Sequence, residues 1–261
     1  MGCARVVDAT GQVLSPCDEE KALRLVAEGR ATLLSEQPLT IQLHRTISLP
    51  ERSEEKDPLA GQRLLLHICC APCATYTVGR FREAGVEVTG HWFNPNIHPF
   101  REHELRREAL AGYASTIALP MIWEPGYEMP EFLWQVVGRE CFRQRCALCY
   151  RLRLERTAIV AAREGFTLFS TTLLISPYQD LDAIVRIGEE LAQRHGVAFW
   201  GENLRRGYAE HHRLAREAGL YRQHYCGCIY SEWEALDRQA TTHRRGAADE
   251  TADTSRSEEG V

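Results

Sequence analysis

Three cysteines fall within five residues at the end of an apolar run, Leu64-Leu65-Leu66-His67-Ile68-Cys69-Cys70-Ala71-Pro72-Cys73. The run predicts a buried strand over Leu64–Ile68, and Ala74–Ala84, stopped by Gly85, predicts a helix. Helix N–H groups favour negative charge, which lowers a thiol pKa from about 8.5. A chain with this stretch must bring a strand end, a thiol-rich turn and a helix N-terminus together. The remaining sequence must then supply whatever completes the thiol site.

Residues 62–238 alternate strand with helix. Strands are expected at Val86–Phe93, Ala118–Trp123, Phe166–Ser170 and Val197–Trp200. Helices are expected at Pro99–Ala114, Pro130–Gly138, Arg145–Glu164, Asp180–His195 and Tyr208–Ala218. Such alternation with short loops predicts an α/β fold, a Rossmann-like parallel sheet with helices on both faces. Ligands in such sheets sit at the carboxyl ends of strands where the strand order switches, and Cys69 lies at a strand end. Residues 3–47 form a separate pattern: a hairpin over Val6–Leu14 turning at Thr10-Gly11, a helix from Asp18 to Glu28, and a strand over Leu39–His44. This predicts a small α+β module. The charged, breaker-rich stretch 48–61 reads as a linker, and 239–261, too polar to bury a core, as a disordered tail.

Net charge is −5 over 261 residues, so the molecule is not a basic nucleic-acid binder as a whole. A polyanion would have to be gripped by a local arginine patch. Lysine occurs only at Lys21 and Lys56. No apolar run approaches the roughly 18–20 residues of a membrane span, and the start lacks the apolar region of a signal peptide. The expectation is a cytoplasmic protein without a membrane partner. Ten cysteines there point to metal binding or redox chemistry rather than a disulfide framework.

Two further thiol groups follow. Cys146 and Cys149 share one face of a helix by their i, i+3 spacing, with Cys141 upstream. Cys226 and Cys228 flank Gly227, which lets the backbone turn so that both thiols converge. One C-x-x-C is a weak signal, but three clustered groups are a strong one. Seven thiols exceed one tetrahedral zinc. An iron–sulfur cluster needs four sulfurs, leaving Cys226 and Cys228 over for dithiol–disulfide chemistry or a second metal. Zinc and unmetallated dithiols stay open as alternatives, as does a thioredoxin-like pair at Cys70 and Cys73.

The residues also carry a resemblance. His67-Ile68-Cys69-Cys70-Ala71-Pro72, Phe93 to Pro99, Arg145-Cys146 to Leu154, Phe169 to Gln179, and Gly219 to Cys228 resemble, in order, the QueH-type epoxyqueuosine reductases. The resemblance implies removal of the epoxide oxygen from epoxyqueuosine at the wobble base of tRNA, giving queuosine, with an unknown electron donor. It implies a 4Fe–4S cluster on Cys69, Cys70, Cys146 and Cys149, with Cys226 and Cys228 as the redox-active pair. The resemblance also suggests a mononuclear iron beside the cluster, as in some members. Where some members have Asp after Cys-Cys-x-Pro, this chain has Cys73, which would give a second metal a softer thiolate ligand. Residues 3–47 resemble, through matching residues between Val7 and Leu43, the small N-terminal module, with its P-L-M-P motif, of IscB-type RNA-guided nucleases, which implies an RNA-contacting accessory module, with a solubilising or dimerising add-on as the alternative.

Other candidates come from strand ends. Asn94, Asn96 and His98 are expected to line the substrate pocket, with a stiff structural turn as the alternative. Tyr178 or Asp180 is expected to deliver a proton, with helix capping as the alternative for Asp180. Arg143, Arg145, Arg151, Arg153 and Arg156 flank the second thiol group, as a solvated helix face or a phosphate-gripping patch. His211 and His212 are expected at the surface, and Cys141 as a small buried side chain.

Overall fold

The computed structural model describes residues 3–11, 13–45 and 59–237. The expected linker lies outside them up to residue 58, and the expected tail lies outside entirely. The chain divides into two compact units, Met1–Lys56 and Asp57–Val261.

In the first unit, β1 (Cys3–Val7) pairs antiparallel with β2 (Val13–Asp18), Val7 facing Val13. The turn is closed by Asp8, whose Oδ1 accepts the Thr10 N–H at 2.8 Å. Asp18 caps α1 (Glu19–Ala27), its Oδ1 accepting the Lys21 N–H at 2.7 Å. Two strands follow, β3 (Ala31–Glu36) and β4 (Leu39–Leu43), and the sheet order is β2-β1-β4-β3. β3 is absent from the sequence expectation. Leu33-Leu34 interrupts its alternation, and pairing with β4, a contact beyond any local pattern, holds it. Ala4, Val6, Ala22, Ala31, Ile41 and Leu43 form the core.

The second unit is a five-stranded parallel sheet. Its strands are β5 (Arg63–His67), β6 (Glu87–Trp92), β7 (Met121–Trp123), β8 (Leu168–Thr171) and β9 (Ala198–Phe199). The order is β7-β6-β5-β8-β9. The chain runs outward from β5 through β6 to β7, then restarts on the other side of β5 with β8 and β9. The order therefore switches at β5.

Alternation along β5 divides the core. Leu64, Leu66 and Ile68 pack on one face with α2 (Ala71–Glu83) and α3 (Phe100–Thr116). Leu65 faces α5 (Gln144–Arg163) and α6 (Leu181–His195) on the other. The unit is completed by α4 (Met129–Val136), α7 (Tyr208–Glu217) and helical residues 229–237. Among the described residues no helix is long and apolar enough to cross a membrane.

The thiol centre at the switch point

β5 ends at His67, and the chain passes Ile68 and Cys69 before α2 begins. Cys70 is the N-cap residue of α2, in extended conformation, and Pro72 occupies its first turn. Side chains in a helix point back toward its N-terminus, so Cys73 returns over Cys69 and Cys70. All three are buried, and their sulfurs lie within 4.8 Å of one another. The Cys69 and Cys70 sulfurs are 3.8 Å apart. Thiolates at about 2.3 Å around one tetrahedral ion lie about 3.8 Å apart, so this edge fits a single metal ion. A cubane cluster spreads its ligand sulfurs wider.

The triad shares its charge unevenly. Hydrogen bonds from Cys70 and Cys73 hold Cys69 well below the usual thiol range, against the effect of burial and with help from Thr172. The Cys69 N–H reaches the Thr172 hydroxyl at 3.3 Å, and the Cys69 sulfur lies 3.4 Å from the same oxygen. The same hydrogen bonds, together with burial, push Cys70 and Cys73 up. The Gln223 amide donates to the Cys70 sulfur at 3.1 Å.

The second and third thiol groups act electrostatically on one another, and Cys69 acts on Cys226. Cys146 and Cys149 lie in the first two turns of α5. Burial raises Cys146, and raises Cys149 to about 12, while both feel the charges of Cys226 and Cys228. Gly227 sits at φ +152°, and a Cβ there would come within 3.2 Å of Asn96 and Ile97. The turn is tied down by Arg106, which donates to the Cys226 carbonyl at 2.8 Å and the Tyr225 carbonyl at 3.0 Å. Gln179 donates to the exposed Cys226 from 3.5 Å, and Cys228 is buried. Cys69, Cys70 and Cys73 are the one group of at least three candidate ligands gathered this closely among the described residues. Cys146 and Cys149 are not brought into that group.

The remaining expected site residues have defined places. Asn94 donates to the Ile68 carbonyl at 2.9 Å and accepts from His67 at 3.2 Å. His98 accepts the Ile229 N–H on Nδ1 at 3.3 Å and donates to the Pro95 carbonyl at 3.1 Å. Asn96 is buried with its Oδ1 unpartnered. Arg145 is buried, donating to the Glu140 carbonyl at 2.7 Å and to Glu234 at 2.6 Å, with its Nε unpartnered. Asp180 caps α6, accepting the Ala183 N–H at 3.1 Å. Tyr178 is 72% exposed and sits edge-on to Tyr208.

Three expectations change. Arg145 and Arg153 are buried, so the five arginines are not one solvated face. His211 is buried against α2, its carbonyl 3.4 Å from the Thr75 hydroxyl and its ring on the Tyr208 carbonyl. Cys141 is exposed rather than buried, because it lies in the irregular stretch before α5. Sequence reading also left Thr172, Gln179 and Gln223 without roles, although each stands in one of the family motifs. Hydrogen bonds to sulfur have no spacing signature.

Comparison with known proteins accords with this centre. The family profile described as Epoxyqueuosine reductase QueH matches residues 64–234. The chain belongs to the epoxyqueuosine reductase QueH family. Relatives of that name include one from Dehalococcoides mccartyi, 41% identical over 67% of this chain and 96% of its own length. One from Thermotoga maritima is 36% identical over 70% of the chain and 96% of its own length. One from Haemophilus influenzae is 30% identical over 84% and 88% respectively. The profile described as RRXRR protein matches residues 5–57. As a QueH family member the chain is an oxidoreductase, and its buried cysteine triad offers the donors and spacing that a metal ion takes. Four of the buried polar atoms left unpartnered among the described residues belong to Asn96, Arg145, Arg153 and Gln223, all around the thiols. Such a set fits a centre built to receive something more than its own side chains.

Proposed function

We propose that this chain reduces epoxyqueuosine to queuosine at the wobble position of tRNA. The observation that carries the reading is the buried Cys69, Cys70 and Cys73 triad at the sheet's switch point in a chain of the QueH family. Removing the epoxide oxygen to leave an alkene takes two electrons and two protons and releases water. Cys226 and Cys228 supply two electrons as they pass from dithiol to disulfide, and an outside donor, not identified, returns them. The wobble base is single-stranded and can splay into the site at little cost.

In this reading Cys69, Cys70, Cys146 and Cys149 carry a 4Fe–4S cluster, and Cys73 serves an adjacent mononuclear iron. Taking the cluster requires the Cys69 and Cys70 sulfurs to move apart from their 3.8 Å spacing, and Cys73, within 4.8 Å of both, stands beside them for the single ion. When bound, such metals supply Lewis acidity toward the epoxide oxygen and one-electron transfer. The protein's own groups do the rest. Asn96 and Arg145 each keep a free hydrogen-bonding atom for the base, while Asn94 and His98 hold the loop that carries Asn96. Exposed Tyr178, or Asp180 beside it, delivers a proton to the leaving oxygen. Arg139, Arg151 and Arg186 line a cavity of about 470 Å³ beside the first turns of α5, which suits phosphates of the anticodon stem. The N-terminal module adds RNA contact, and the protein acts in the cytoplasm.

The test is nucleoside mass analysis of tRNA from a strain that accumulates epoxyqueuosine and expresses this chain. Conversion to queuosine is expected. Failure to convert, with a working control reductase, overturns the reading. Iron and sulfide counts on anaerobically purified protein separate the metal assignments: four of each for the cluster alone, and a fifth iron if Cys73 serves a second site.

A further inference from the structure

Three buried arginines surround the thiols, and they differ in one respect. Arg106 donates from Nε to Glu102 at 2.7 Å. Arg145 donates to Glu234 at 2.6 Å. Arg153, only 1% exposed, has no carboxylate partner among the described residues. Its Nε donates to the Cys149 carbonyl at 3.2 Å, and its Nη2 is buried with no partner at all.

An isolated buried charge is expensive, and a folded protein keeps one only where something answers it. On α5, Cys146, Cys149, Tyr150, Arg153 and Thr157 follow i, i+3, i+4, i+7 and i+11, which places them on one stripe. Arg153 acts electrostatically on the Cys149 and Cys226 thiols and on His67. The ionisable groups that share this stripe with Arg153 are the Cys146 and Cys149 thiols and the Tyr150 hydroxyl.

We infer that Arg153 is the resident counter-cation of the thiol centre, its free Nη2 donating to the anionic sulfur that forms when cysteines give up their protons to take a metal. Metal uptake by cysteines releases protons and leaves thiolate charge. Thiolates gathered around a metal centre leave it with net negative charge, and Arg153 offsets that charge without competing for the metal. A carboxylate on Arg153 would have cancelled that role, as Glu102 and Glu234 do for the other two. The inference rests on the metal reading above, and it assigns Arg153 as a positioning and charge-balancing residue rather than a phosphate contact.

The experiment uses full-length protein, prepared metal-free under reducing anaerobic conditions, as wild type, Arg153→Met and Arg153→Lys. Cobalt(II) is the probe, because thiolate ligation gives charge-transfer absorption. Arg153→Met is expected to leave the melting temperature of the metal-free protein unchanged or higher, since it removes an unanswered buried charge. It is expected to weaken cobalt(II) binding about 10–100-fold, the usual consequence of losing a group that supports metal ligands. Arg153→Lys is expected to recover much of that loss. Equal cobalt(II) affinity in Arg153→Met and wild type overturns the inference. So does a metal-free Arg153→Met protein that melts several degrees lower, which marks a packing role. A wild type that shows no thiolate–cobalt absorption overturns the metal reading itself, and the inference with it.

Discussion

His67 shows how single side chains set the conditions under which the centre holds. It has no exposed surface, donates to Asn94 and lies 2.9 Å from the Thr171 hydroxyl on the neighbouring strand. Burial lowers its pKa to about 3 from an ordinary 6.5. The folded state therefore resists a proton that the unfolded chain accepts. The stabilisation is complete above the unfolded value and is lost as pH falls from about 6.5 toward 3, several kcal/mol in all at about 1.36 kcal/mol per pKa unit. Guanidinium denaturation of the metal-free protein should show a lower midpoint at pH 5 than at pH 7.5, and His67→Gln should flatten that dependence. An unchanged slope in the variant would show that His67 is not the group responsible. The cysteines separate by role in the same way. Cys146→Ala should remove both activity and the brown iron–sulfur absorption, whereas Cys228→Ala should remove activity and keep the colour. Loss of colour in Cys228→Ala would mean that the thiols are divided differently between metal and redox duty. Much at this scale is legible from sequence, because each thiol group stands in a short motif. Arg153 is not, since its meaning lies in a carboxylate that Arg106 and Arg145 have and it lacks.

At the scale of elements, periodicity locates what is internally regular and blurs what is held by neighbours. The helix expected over Arg145–Glu164 is observed at Gln144–Arg163, because its apolar stripe repeats along its whole length. The edge strands β7 and β9 are shorter than expected, each pairing on one side only. The N-terminal strand β3 goes unseen for the same reason: its partner, not its pattern, holds it. The turn carrying Cys226 and Cys228 is also an assembled element, fixed by Arg106, by the His98 N–H on the Gly227 carbonyl at 2.8 Å, and by the Tyr225 hydroxyl on the His98 carbonyl. Gly227→Ala would force a side chain into a backbone conformation at φ +152° and against Asn96 and Ile97. A destabilisation of about 1–3 kcal/mol is expected, from the strain alone. Disulfide formation between Cys226 and Cys228 under mild oxidant should slow in parallel, read by alkylation and mass mapping. Unaltered disulfide kinetics would show that the thiols converge without help from this turn.

The whole molecule joins two units with separate hydrophobic cores. The QueH relative from Dehalococcoides mccartyi matches over 96% of its own length while covering 67% of this chain. That relative therefore has almost nothing left to correspond to the first unit, and the cysteine triad Cys69, Cys70 and Cys73 lies in the second. A chain beginning at residue 57 should fold with a single cooperative transition and take up cobalt(II) as the full protein does. It should also reduce epoxyqueuosine in a short anticodon stem–loop at an undiminished rate. Net charge adds a second expectation. At −5 overall, the protein cannot rely on a general attraction for RNA, so its grip on phosphate must be local and confined to a few groups. If the first unit supplies some of them, the shortened chain should bind full-length tRNA more weakly. Its affinity should also fall less steeply with salt, by about 0.7–0.9 in log–log slope for each phosphate it no longer neutralises. Filter binding of both chains across a salt series measures this directly. Equal affinity and equal slope would show that the first unit touches no tRNA, while leaving the reductase centre as described.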